Sequence, residues 1–100
     1  MTYVLMVFAG ALLVNAIPHL AAGLRGEPFP TPFAKPRGIG LSGPRTNMLW
    51  GSANLSLGLF LAHHFGQAAN TTGAIVAVAA GWLALGWYLA GHFGAVRSGR

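Results

Sequence analysis

Two long stretches of this chain carry no charged side chain, and that constrains its fold more than any other feature. None lies between Met1 and Leu24, and none lies between Thr46 and Val96, with histidine counted as neutral. The charges that do occur are Arg25, Glu27, Lys35, Arg37 and Arg45 between the runs, and Arg97 and Arg100 at the end. They make up 7% of 100 residues, against about a quarter in an ordinary soluble domain. Seven charges do not clothe a water-facing surface. The 54% apolar content excludes a disordered chain. The medium such a chain suits is the hydrocarbon of a bilayer.

A membrane-crossing helix takes about 20 apolar residues. The first run fits one crossing, and the second is long enough for two. Its one polar, glycine-bearing break is Gly66-Gln67-Ala68-Ala69-Asn70-Thr71-Thr72-Gly73. Gly66 suits the position just past a helix end, and Asn70, Thr71 or Thr72 suits the cap of the next helix. The expected fold is all-α: one integral membrane domain with three transmembrane helices, over about 2–24, 44–65 and 72–96, and a Pro/Gly-rich cytoplasmic loop over 25–43. Lipid leaves an open strand edge unpaired at several kcal/mol per group, so helices are the required form. The alternating polar positions of a strand barrel are absent.

All six Lys/Arg residues fall either in the first loop or after the third span. Three crossings put both on one face, which the positive-inside rule makes cytoplasmic, with the N-terminus outside. No basic segment precedes the first apolar run, so a cleaved signal peptide is not expected. There is no cysteine, hence no disulfide or thiolate metal site. The net charge of +5 sits beside helix ends. There, anionic lipid head groups are the nearer partner, and nucleic acid is not expected.

The loop reads RGEPFPTPFAKPRGIGLSGPR and holds five of the six prolines. Pro28, Pro30 and Pro32 alternate with Phe29, Thr31 and Phe33, a pattern that predicts a stiff, extended, polyproline-like segment. Phe29 and Phe33 are expected to dip into the membrane interface. Gly38, Gly40 and Gly43 then allow tight turns. Ser42 or Gly43 can cap the second helix, with Pro44 in its first turn. A long loop of this kind is often functional. Glu27, Phe29, Phe33, Lys35 and Arg37 are therefore the candidate contact residues, and Glu27 also suits a surface pair with Arg25 or Lys35.

The string from Pro18-His19 through Gly23, Gly26, Pro28-Phe29-Pro30-Thr31-Pro32-Phe33, Gly38 and Gly40-Leu41-Ser42 to Asn47, Leu49-Trp50-Gly51 and Asn54 resembles a group of small uncharacterised bacterial multi-pass membrane proteins. The resemblance covers about the first half of the chain. It implies a bacterial protein of the cytoplasmic membrane and adds no catalytic or binding residue.

Polar groups inside a span must find partners. Asn15 and His19 are four apart on one face, beside Pro18, whose missing N–H frees the carbonyl of Val14. They are expected to serve that carbonyl. Asn47, Gly51, Asn54 and Gly58 form one stripe on the second span, and Ala77, Gly81, Ala84 and Gly91 a similar one on the third, with Gly86 besides. Such stripes let helices approach closely. Trp82, Trp87 and Tyr88 are ridges or interface anchors. His19 lies six residues before Arg25 and His92 five before Arg97. The two stand at nearly one depth, where a metal or haem between them is conceivable. His63 and His64 sit near the outer end of the second span, as anchors or as pH-sensitive groups.

No nucleophile–base pair, carboxylate pair, phosphate loop or zinc motif is present, so no enzyme and no cofactor is expected. Three readings remain. The first is a structural or accessory subunit of a membrane assembly, homo-oligomeric or larger, that uses the loop as its contact. The second is a homo-oligomeric channel or transporter lined by Asn15, His19, Asn47 and Asn54. The third is a haem- or metal-binding redox subunit using His19 and His92.

Overall fold

A computed structural model of the chain describes residues 1–99. The described residues form helix α1 (Thr2–Leu24), strands β1 (Phe29–Pro30) and β2 (Leu41–Ser42), and helices α2 (Pro44–Gly66) and α3 (Thr71–Ser98). Helix α1 is the middle of the structure. It packs along both α2 and α3, which scarcely touch each other.

The helix ends follow local chemistry. After α1, Gly26 takes φ +73°, a left-handed turn that suits glycine. The Gly26 N–H then reaches Gly23 O at 3.1 Å and the Glu27 N–H reaches Ala22 O at 2.8 Å, which satisfies carbonyls the helix leaves open. Gly43 is extended and caps α2, with Pro44 as its first residue. Asn70 caps α3, its Oδ1 accepting from Gly73 N at 2.7 Å. Gly66 is the last residue of α2 rather than the residue beyond it.

The α1–α2 contact is built on absent side chains. A Cβ at Gly51 would meet Leu20 and the carbonyl of Ala16, and one at Gly58 would meet Leu13. Asn47, Gly51, Asn54 and Gly58 are the buried residues of α2, and all lie on this seam. On the other side, Gly10 abuts the backbone of Val78 and Gly81 that of Val7, so α1 and α3 touch main chain to main chain. Ala77 and Gly81 are the only buried residues of α3. The expected third-span stripe therefore breaks. Ala84 and Gly91 are exposed, and nothing lies within 4 Å of where a Gly91 Cβ would be. The seam with α1 instead turns toward Gly86, whose Cβ would sit 3.3 Å from Val14.

The loop extends and then turns back, which the sequence allows, and adds a strand pairing that the sequence reading did not include: β1 and β2 pair antiparallel, with Phe29 opposite Ser42 and Pro30 opposite Leu41. The chain reverses between them, where the N–H groups of Ile39 and Gly40 both reach Pro36 O and Gly38 takes φ +74°. The prolines restrict each residue locally, but the glycines after them allow the return.

The buried apolar residues are Met6, Ala9, Ala16, Ala22 and Ala77, and four of those five are alanine. Large apolar side chains point outward instead, Leu83 at 69% and Trp87 at 87% exposure among them. Helices α1 and α3 are each long and apolar enough to cross a membrane. Helix α2, with Asn47, Ser52, Asn54, Ser56, His63 and His64 along it, does not meet the same measure.

Candidate functional site

The polar side chains of α1 and α2 meet in two tiers. In the deeper one, Asn15 Nδ2 donates to Asn54 Oδ1 at 3.0 Å, and Asn54 Nδ2 donates to Trp50 O at 2.8 Å. In the upper one, Asn47 is fully buried, and its amide lies within reach of three carbonyls: Phe29 O at 3.0 Å, Ser42 O at 3.1 Å and Gly43 O at 3.1 Å. An amide turned that way presents its oxygen to His19, 2.7 Å from Nδ1. His19 therefore donates from Nδ1, leaving Nε2 without a proton in the neutral ring. Asn15 and His19 thus bond across to α2, and the structure gives them no bond to the carbonyl freed by Pro18. The neighbouring helix offers each a full partner at the same level.

Asn47 is the pin of the loop. It joins the strand before the turn, the strand after it and the start of α2. Thr31, itself buried, adds a hydroxyl–hydroxyl bond to Ser42 and accepts from the Phe33 N–H at 3.3 Å. From α3, His92 Nε2 lies 2.7 Å from Gly38 O. A carbonyl only accepts, so His92 donates there. All three helices hold the loop.

Of the two loop phenylalanines, Phe29 faces inward and Phe33 outward. The Phe29 ring lies 5.4 Å from that of His19 and 4.7 Å from that of Phe93, so it fills the space above α1 and α3. Phe33 sets its ring 4.9 Å from Trp50, edge to face, while staying 62% exposed. The Trp50 indole nitrogen is buried and has no hydrogen-bond partner. The ring contact with Phe33 covers this region without supplying an oxygen acceptor.

A cavity of about 320 Å³ lies under the loop, lined by Asn15, His19, Thr31, Arg37, Trp50, Tyr88, His92 and Phe93 among others. Sequence spacing placed His19 and His92 at one depth, and both do line this space. Phe93 packs against both rings, with centroids at 6.5 Å and 5.1 Å. Each histidine already gives one ring nitrogen to an oxygen acceptor. No group of three or more His, Cys, Asp or Glu side chains gathers among the described residues. Trp50 and Thr31 were not singled out from sequence. Their signal was weak: a tryptophan three residues from Asn47, and a threonine between two prolines.

Glu27 and Arg25 form a two-pronged ion pair, Nε to Oε1 at 3.1 Å and Nη2 to Oε2 at 3.0 Å, with both side chains exposed. Arg25 holds the Glu27 carboxyl below its ordinary range, first by hydrogen bonding and then by charge, with Arg97 adding a smaller pull. Lys35 and Arg37 are exposed on the turn. At the other end of the molecule His64 stacks on Phe60 at 5.3 Å, and Tyr3 accepts from Asn70 Nδ2 at 3.1 Å. No family model, curated protein or solved structure matches this chain.

Proposed function

We propose that this chain is a three-span protein of a bacterial cytoplasmic membrane that serves as a structural or accessory subunit, with loop 25–43 as its cytoplasmic contact. The observation that carries the reading is the Asn47 pin. A connector between two helices needs only a few residues. This one spends a buried asparagine, a buried threonine and two histidines on a fixed shape, and leaves Phe33, Lys35 and Arg37 on its surface. A rigid presented surface costs little ordering entropy when a partner binds.

The membrane part of the reading rests on the inverted burial. Alanines, glycines and asparagines face inward, while Leu49, Leu57, Leu59 and Phe60 of α2 face outward. Only 6% of the most apolar stretch of α3 is buried, so α3 does not serve as the core helix of a soluble fold. The cationic loop and the end of α3 point to the cytoplasmic side.

The channel reading draws less support. Asn15 pairs with Asn54 and His19 with Asn47, so the polar side chains offered as a lining are spent on one another. The redox reading likewise meets histidines that are held by Asn47 and Gly38 and separated by the Phe93 ring. We expect no catalytic role.

The test is the composition of the particle extracted in native-lipid discs. The subunit reading expects a second protein at fixed stoichiometry, lost on Phe33→Ala while the helical content stays. Pure chain that carries solute across liposomes, with flux abolished by Asn54→Leu, would overturn it in favour of transport.

A further inference from the structure

Two cavities at the end of α3 share two lining residues, and together they offer a charged end and an apolar end, the polarity of a lipid. The first is a cleft of about 530 Å³ between the loop strands and the last turns of α3. Arg25, Glu27 and Arg97 stand around it, and Leu41 and Val96 contribute apolar wall. The second is a groove of about 310 Å³ between α1 and α3, lined by Val14, Ile17, Pro18, Gly86, Leu89 and Ala90. Phe29 and Phe93 line both, so the charged cleft and the apolar groove meet at these two rings. The groove runs toward the middle of α3, and Ala90 lies seven residues, or about 10 Å, deeper than Arg97. Gly86 and Ala90 are what keep it open, since a larger side chain at either would fill it.

We propose that this pair of cavities binds one anionic phospholipid, its phosphate beside Arg97 in the cleft and an acyl chain along the α1–α3 groove. The site rests on the membrane reading above and adds a specific ligand to it. Charge decides the head group. Two arginines and one carboxylate leave the cleft with one net positive charge. Glu27 already occupies both prongs of Arg25. The described residues give Arg97 no such anion, and Glu27, the one acid in the sequence, is the sole opponent of a phosphate. The neighbouring groove argues against a free anion: the charged cleft shares Phe29 and Phe93 with an apolar groove, which a phosphate ion alone does not use.

The experiment is native mass spectrometry of the full chain released from bilayers of equal phosphatidylglycerol and phosphatidylcholine. One bound lipid is expected, with phosphatidylglycerol preferred about fivefold, the effect of one cation near a membrane surface. Arg97→Gln should abolish that preference. Glu27→Gln should increase it, a change of opposite sign that a merely structural role for either residue does not produce. Ala90→Phe should lower retention of both lipids alike by blocking the groove. Adding glycerol phosphate separates the sources of the phosphate. No displacement of the lipid is expected, and full displacement at millimolar concentration would reassign the cleft to a soluble anion and overturn the proposal. Equal retention of the two lipids, or Arg97→Gln and Glu27→Gln moving the preference the same way, would also overturn it. A chain that needs amphiphile yet shows no preference keeps the membrane reading and loses the site. A chain monodisperse in plain buffer loses both.

Discussion

Asn47 concentrates more of the structure than any other residue. Its amide serves Phe29, Ser42 and Gly43, and its oxygen serves His19. Alanine there would strand a buried imidazole N–H and take the amide donor from the Phe29 and Ser42 carbonyls, while Gly43 O keeps the backbone N–H of residue 47. A group left unpaired and dry costs about 1–3 kcal/mol. Water admitted by the smaller side chain offsets part of this, so Asn47→Ala is expected to destabilise by about 3 kcal/mol. Denaturant unfolding in detergent reads this as a lower midpoint, and protease should cut the loop earlier. The deeper pair behaves differently. Asn54→Leu leaves Asn15 without its partner and should cost about 1 kcal/mol. Adding Asn15→Leu should restore most of that loss, since removing both partners leaves nothing unsatisfied. A double-mutant cycle measures the coupling. The spacing of Asn15 and His19, and of Asn47 and Asn54, was legible in the sequence. Which bonds to which was not, because pairing depends on where two helices cross, and no single helix encodes that.

Helices were the legible elements. Runs without charge, bounded by Arg25, Pro44 and Asn70, gave their ends to within about two residues. The packing of α3 was harder to read. Ala77 and Gly81 lie on α1, but Ala84 and Gly91 extend the same small-residue pattern onto a bare face. Small residues suit close approach without fixing which helix approaches. The consequence is testable. A methyl at Gly81 has no room, since the Val7 carbonyl stands there. Gly81→Ala should force α1 and α3 apart at a cost of about 1–3 kcal/mol. Gly91→Ala meets open space and should be neutral or stabilise by about 0.5–1 kcal/mol through helix propensity. Parallel unfolding curves of the two variants check the contrast, and equal losses would place the α1–α3 seam elsewhere. The loop was the least legible element. Its ladder of two residues a side depends on Asn47, a side chain outside the loop itself.

The whole molecule turns on whether α2 crosses the bilayer with its neighbours. By composition it is the most polar of the three helices, yet its two asparagines are not where lipid would meet them; Ser56, His63 and His64 are the polar side chains it exposes along its outer half. Asn47 and Asn54 turn inward, and Leu55, Leu57, Leu59 and Phe60 turn outward. Helix α2 also runs beside α1 for its whole length, from Met48 against Gly23 to Gly66 against Met6. If α1 spans the hydrocarbon, α2 runs through it too, with Leu49, Leu55, Leu57, Leu59 and Phe60 turned toward lipid. A sum over the sequence misses this because it counts Asn47 and Asn54 as though they were exposed. The chain has no cysteine, so introduced thiols report their side of the membrane without background. In spheroplasts, an impermeant maleimide should label Gln67→Cys, between α2 and α3, and should spare Ala34→Cys in the loop and Ser98→Cys at the end of α3. Permeabilised cells should label all three. A two-span chain would give a different pattern, with positions 34 and 67 on one side and 98 on the other. That arrangement would also part Arg37 from Arg97, against the rule that gathers basic residues on the cytoplasmic face. It would leave α2 lying outside the bilayer with its leucines in water, while the α1 it packs against stood in lipid.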